Sequence, residues 1–365
     1  MCSDTLHFRI NKIFESKIFK ERVEEERRKT GLSRKDVPIK VTNGPRQQMD
    51  MDLLNPDIHD IQGTVESSND KQNNQKVAPE LSTASVALGL RFENKGMYCC
   101  YANAATNLLL TIPHLKPLIQ MNGQKRVLGE LKRYLAARKN AVLSTKKLRG
   151  LLGFNSCNQE DAAEFLNLML SDIQEGLPTK YRSDHDEIFS TIIQKRRDCL
   201  AINSLNCPPA FTELKYFILR IPIENAMSLE ESLRKLWTQS ELLEWRCPNV
   251  EECRYEYGFA IPVLNDIPKV LILQLERFNR QSQKIGDEVN VPPFIQPLAN
   301  GKRYNFLGSI IHSGSSMEHG HYTTLIQNPE TGNLLLCDDS KAPRQIHVKD
   351  SKLGQSYILC YAQDD

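Results

Sequence analysis

The 365-residue chain predicts an α+β fold, and three observations carry that expectation. Helical periodicity prevails from Tyr98 to Ile173. Short apolar runs of strand length take over after Pro178. The last quarter alternates β-rich segments with turn residues such as Asn328-Pro329 and Thr331-Gly332. The length allows one large domain or two smaller ones with a sizeable core.

Taken in order, residues 1–84 read as an N-terminal helix followed by a polar linker. Phe8, Ile10, Ile13, Phe14, Ile18, Phe19 and Val23 recur at mostly helical spacing, with a dense charged run over residues 20–29. From residue 30 to 84 aromatics are few, and the tract Ser67-Ser68-Asn69-Asp70-Lys71-Gln72-Asn73-Asn74-Gln75 cannot bury enough surface to offset ordering. Residues 85–365 are the folded domain. Helices are expected over residues 98–121, 128–137 and 159–173. In the third, Ala162, Phe165, Leu166, Met169, Leu170 and Ile173 form one apolar stripe. Residues 214–223 and 270–275 read as strands, the second buried on both faces, and Ser228 opens a capped helix. Residues 304–311, 322–327, 333–337 and 357–361 complete the β-rich end.

Composition excludes little but bounds the partners. Lys and Arg number 47 against 45 Asp and Glu, a net charge of +2 that points to neither nucleic acid nor a membrane surface. No apolar run is long enough to span a bilayer, and the first residues lack the apolar core of an export signal. The ten cysteines are therefore expected as reduced thiols in the cytoplasm or nucleus, serving as nucleophile, ligand or core filler.

Two places carry chemistry. In Gly96-Met97-Tyr98-Cys99-Cys100-Tyr101-Ala102-Asn103-Ala104 a thiol sits in a turn that opens an apolar helix, where unpaired N–H groups and the helix dipole stabilise a thiolate. Far downstream, His321 opens one strand while Asp338 and Asp339 end the next. A hairpin through residues 328–332 brings them together, supplying a base and a group to orient it.

These segments resemble, in sequence order, the ubiquitin-specific proteases. The Cys box is matched by Gly89-Leu90, Asn94-Lys95-Gly96 and Cys100-Tyr101-Ala102-Asn103-Ala104; the Gln-Asp-Ala-x-Glu-Phe helix by Gln159 to Phe165, with one residue more after the Gln. The Leu-Pro strand is matched by Ile267-Pro268-Lys269-Val270-Leu271 through Leu275-Glu276-Arg277-Phe278. The His box is matched by His312-Ser313-Gly314, Gly320-His321-Tyr322, Asp338-Asp339 and Tyr357-Ile358-Leu359-Cys360-Tyr361.

The resemblance covers about residues 86–362. It implies a papain-like cysteine peptidase with thumb, palm and short fingers subdomains. It implies a deubiquitinating thiol isopeptidase that cleaves after the C-terminal glycine of conjugated ubiquitin, with ubiquitin and ubiquitinated proteins as partners. Cys100 is then the nucleophile, His321 the base and Asp338 its orienting acid. Counting from Asn94 and Gly96 points instead to Cys99, so the Cys box holds one extra residue. Tyr101 and Asn103, on the helix that fixes the nucleophile, favour Cys100. Asn94 or Asp339 supports the oxyanion, while His312 and His319 are structural. The alternatives are a silent ubiquitin-binding relative or a protease for another ubiquitin-like modifier. Catalysis requires no cofactor. Cys199, Cys207, Cys247 and Cys253 stand where many relatives hold a structural zinc, but spaced C-x₇-C and C-x₅-C rather than as Cys-x-x-Cys knuckles. The resemblance thus leaves open both a bound zinc and its loss. Cys2, Cys157, Cys337 and Cys360 are expected as terminal or core thiols.

Overall fold

The computed structural model describes residues 89–364 except 97, 123–125, 139, 156, 200–209, 224–227, 239–240, 245–256, 280–282, 298–301, 317–318 and 329–330. The N-terminal helix and linker expected over residues 1–84 lie outside the described residues. Helices are α1 (Cys100–Thr111), α2 (Leu115–Asn122), α3 (Arg126–Leu135), α4 (Lys146–Leu151), α5 (Ala162–Gly176), α6 (Arg182–Phe189) and α7 (Leu229–Thr238). Strands are β1 (Arg91–Phe92), β2 (Val142–Leu143), β3 (Thr191–Cys199), β4 (Ala210–Tyr216), β5 (Ile218–Ile221), β6 (Glu241–Glu244) and β7 (Tyr257–Asp266). They continue with β8 (Val270–Leu275), β9 (Phe294–Ile295), β10 (Tyr304–Ser313), β11 (His321–Gln327), β12 (Leu334–Cys337), β13 (Arg344–Ile346) and β14 (Ser356–Gln363). The mixed helix and sheet content agrees with the expected class.

The single helix expected over residues 98–121 is two. Ile112 leaves the helix in an extended conformation, because the residue before Pro113 is driven out of the helical region. Pro117 is tolerated in the first turn of α2, where its missing N–H would have had no helical partner. The third expected helix starts at Ala162 rather than Gln159. Asp161 Oδ1 accepts from the N–H groups of Ala163 at 2.6 Å and Glu164 at 2.9 Å, which fixes that start. The strand expected over residues 214–223 also divides at Phe217, β4 and β5 belonging to different sheets.

The larger sheet runs β13-β12-β11-β10-β14-β8-β5, with β9 beside β10. Its β8 is buried along almost its whole length, as a central apolar strand should be. Helix α1 packs against β10, β11 and α5, and every residue from Cys100 to Leu110 is buried. A helix enclosed in this way is positioned by the core on all sides. The second sheet, β4-β3-β7-β6, is antiparallel throughout. Among the described residues, no helix is long and apolar enough to cross a membrane.

Candidate active site

Cys100 is the first residue of α1 and is fully buried. No acidic side chain lies in the first turn, so the positive end of the helix is left to act on the thiol. Cys99 takes the N-cap position without a side-chain cap; its own N–H donates to Asn94 Oδ1 at 2.8 Å. A turn at Lys95 and Gly96 brings Asn94 back over the helix start. Gly96 stands at φ +83, and a Cβ there would fall 2.3 Å from the Tyr98 ring. The extra residue of the Cys box is thus absorbed before the helix. Burial raises the Cys99 thiol pKa, against the nearby Arg149 charge.

His321 opens β11, which is tied to α1 by a buried hydrogen bond from Thr324 Oγ1 to Ala104 O at 2.9 Å, one helical turn below Cys100. Thr324 pairs with Cys337 across the β11–β12 ladder. Asp338, one residue past that pairing, therefore lies diagonally from His321, within reach of long side chains. His321 Nε2 stands 2.8 Å from Asp338 Oδ1. A hydrogen bond with the Cys100 thiol acts most strongly on the imidazole. With Asp338, and against desolvation, it raises the His321 pKa to about 9. Nε2 is taken by Asp338, which leaves Nδ1 for the thiol. Partial burial works against ionisation of Asp338, but hydrogen bonds from Lys341 and His321 hold it below the usual carboxylate range. The Lys341 Nζ contact is 2.6 Å.

Asp339 is held from three sides. Its Oδ2 accepts from Asn94 Nδ2 at 2.7 Å, its Oδ1 from Asn103 Nδ2 at 2.8 Å, and its backbone oxygen from Phe92 N at 2.9 Å. Its φ is +49, a conformation that Asp tolerates better than most residues. Oδ2 also lies 3.9 Å from His321 Nε2. The peptide just before His321 is gripped by Gln159: Gly320 N donates to Gln159 Oε1 at 2.9 Å, and Gln159 Nε2 donates to Gly320 O at 2.6 Å. A Cβ on Gly320 would fall 2.1 Å from Nε2 of His312, whose buried ring packs on Tyr322 and Phe278. Burial depresses the His312 pKa to about 4.

The structure therefore brings Cys100, His321, Asp338, Asp339 and Asn94 together. Among the described residues, His321, Asp338 and Asp339 are the one group of metal-ligating type with donor atoms clustered within 4.8 Å. Both imidazole nitrogens are engaged there, which suits acid–base work. Of the four cysteines considered for zinc, Cys207, Cys247 and Cys253 lie outside the described residues. Cys199 ends β3 opposite Gly258 of β7. Cys337 and Cys360 are buried free thiols, with burial raising Cys337 to about 12; Cys157, expected at a terminus or in the core, is exposed.

One contributor carries no motif of its own: Asn107 stands one turn past Asn103 in an otherwise largely apolar helix, and that spacing is the signal that could have marked it. Asn107 accepts from Leu90 N at 2.8 Å and donates to Leu90 O at 3.1 Å, clasping the segment that leads to Asn94.

A thiol at a helix start, an imidazole against it and a carboxylate behind the imidazole form the constellation of a cysteine-type hydrolase, recognised by geometry rather than by position in the chain. Residues 90–361 match the family described as ubiquitin carboxyl-terminal hydrolase. The chain belongs to that family. It is 26% identical over 221 residues to "Ubiquitin carboxyl-terminal hydrolase 9" of Saccharomyces cerevisiae, covering 51% of this chain and 28% of the relative. It is 24% identical over 245 residues to "Probable ubiquitin carboxyl-terminal hydrolase 9" of Schizosaccharomyces pombe, covering 58% and 40%. The human "Ubiquitin carboxyl-terminal hydrolase 17-like protein 5" is 24% identical over 312 residues, 78% of this chain and 58% of the relative. The chain thus spans less than two thirds of each of these relatives.

Proposed function

We propose that this chain is a deubiquitinating thiol isopeptidase that cleaves after the C-terminal glycine of ubiquitin joined to other proteins. The observation that carries the reading is the line Cys100–His321–Asp338 at the start of a buried helix. Family membership and the relatives' names support ubiquitin as the group recognised. On this reading α1 to α5 form the thumb, the larger sheet the palm and the β4-β3-β7-β6 sheet the fingers.

The proposed chemistry follows from the geometry. His321 takes the Cys100 proton, and the thiolate attacks the terminal carbonyl carbon of ubiquitin. The carbonyl oxygen becomes an oxyanion beside the helix start, where Asn94, whose Nδ2 keeps a second N–H beyond the one it gives to Asp339, is the supporting donor. Collapse breaks the carbon–nitrogen bond, and the imidazolium returns its proton to the departing lysine amine. Water then attacks the thioester, again through His321, and frees the ubiquitin carboxylate and the thiol. Asp338 keeps the ring in the tautomer that presents Nδ1 to the thiol.

A structural zinc on Cys199, Cys207, Cys247 and Cys253 remains part of the proposal. Four thiolates are a sufficient tetrahedral donor set, and Cys199 ends β3 opposite Gly258 of β7. The purified protein should contain about one equivalent of zinc, with its unfolding midpoint lowered by a chelator; no metal on analysis would remove the site and leave the hydrolase intact.

The function itself is tested by hydrolysis of a fluorogenic amide of the ubiquitin C-terminus. Asp338→Ala should depress kcat far more than KM, approaching ~10⁴-fold if the thiol depends on its base as serine triads do. Full activity in that variant would overturn the assignment. Turnover only with a different ubiquitin-like modifier would move the specificity and keep the chemistry.

A further inference from the structure

We propose that Thr145 is a positioning residue, which anchors the oxygen of the Asn103 side-chain amide and through it holds Asp339 and Asn94 at the helix start. This rests on the hydrolase reading above. Thr145 is the N-cap of α4, where a threonine hydroxyl ordinarily accepts from the helix's own N–H groups. Here it makes no capping hydrogen bond. It is instead buried and donates from Oγ1 to Asn103 Oδ1 at 2.9 Å. A cap has been given up for a contact with α1.

The contact completes the anchoring of the amide. Asn103 Nδ2 faces two acceptors, Glu93 O at 3.2 Å and Asp339 Oδ1 at 2.8 Å. The amide oxygen faces the Thr145 hydroxyl. With the hydroxyl gone, Asn103 Oδ1 would be a buried acceptor without its partner, and the amide would lose one of its three anchors. Asp339 in turn accepts from Asn94 Nδ2, and Asn94 Oδ1 accepts the Cys99 N–H. The hydrogen bonds therefore run unbroken from Thr145 through Asn103, Asp339 and Asn94 to the backbone N–H beside the nucleophile. Each member uses the end of its side chain that the previous one leaves free. Linked polar groups in a buried setting act as a unit.

The test compares Thr145→Val and Thr145→Ala, which lack the hydroxyl, with Thr145→Ser, which keeps it. With the ubiquitin C-terminal amide, the first two should lower kcat by about tenfold or more and change KM by less than about twofold, as loss of an interaction made only in the transition state does. Thr145→Ser should restore kcat. In an Asp339→Ala background Thr145→Val should cost no further activity, because the path it acts through is already cut. A merely structural role predicts a loss that is the same in both backgrounds, or a rise in KM. Wild-type kcat in both variants lacking the hydroxyl, or additivity with Asp339→Ala, would overturn the proposal. The side-chain amide resonances of Asn103 and Asn94 give a readout independent of turnover. Both should move in Thr145→Ala and return in Thr145→Ser, and an unmoved Asn94 signal would also overturn it. An inactive wild-type chain would refute the hydrolase reading alone, since the amide signals still decide the relay.

Discussion

At the scale of single residues, the account turns on which group holds which proton. His321 is raised above its usual value, to about 9, by the Cys100 thiol and Asp338. A raised histidine contributes its stabilisation fully below pH 6.5 and loses it as pH climbs through about 9. The imidazolium that must protonate the leaving amine is lost over the same range. The kcat/KM profile should therefore fall on the alkaline side near pH 9, and Asp338→Asn, which removes the carboxylate, should move that limb to lower pH. An alkaline limb unmoved in Asp338→Asn would show that another group governs it. His321 and Asp338 were legible in the sequence because a strand start and a strand end joined by a turn must come close. Asn103 with Thr145 was not: the two are 42 residues apart, and only the packing of α4 on the folded domain joins them. Between Cys99 and Cys100, Tyr101 and Asn103 favoured Cys100, against the count from Asn94 and Gly96. The choice depends on a loop that bends at Gly96 and leaves Cys100, not Cys99, as the thiol bonded to His321.

At the scale of elements, the helices that hold the thiol were legible as apolar stripes and the His hairpin as alternating strands. The β4-β3-β7-β6 sheet was largely hidden. Its β3 carries Lys195, Arg196, Arg197 and Asp198 in succession, and its β7 contains Pro262, both contrary to a strand reading. Among the described residues, the β6 ladder ends at the Glu241–Ala260 pair, two residues short of Pro262. Approach of two elements also sets a testable constraint at Gly320. A methyl group there would meet His312 Nε2 at 2.1 Å and Ser313 O at 2.9 Å. Gly320→Ala should destabilise by about 1–3 kcal/mol, the range for forced overpacking, and lower kcat by displacing His321. Adding His312→Ala should recover part of the stability in urea titrations. Unaltered stability in Gly320→Ala would contradict the packing described.

At the scale of the whole molecule, acid should destabilise the protein partly through a buried histidine that takes no part in the active site. His185 is fully buried between Phe189 and Phe217, with ring centroids 5.0 and 5.3 Å away, and burial holds its pKa down to about 4. The unfolded chain takes up this proton near pH 6.5, so the contribution is complete above 6.5 and is lost as pH falls towards 4, up to ~3 kcal/mol. His185→Phe should flatten the decline in unfolding free energy between pH 6.5 and 4.5; an unchanged slope would assign the acid sensitivity elsewhere. The two histidines thus titrate towards opposite ends of the pH scale, because one is enclosed by rings and the other is paired with a thiol and a carboxylate. The central claim is that the thiol paired with His321 is the nucleophile for the ubiquitin tail. Its most direct test is to react the protein with ubiquitin carrying a thiol-reactive group at its C-terminus and to map the linkage by peptide mass. The account predicts one adduct, on Cys100, retained in Cys99→Ala and lost in Cys100→Ala. An adduct on Cys99, or none in the wild-type chain, would contradict it.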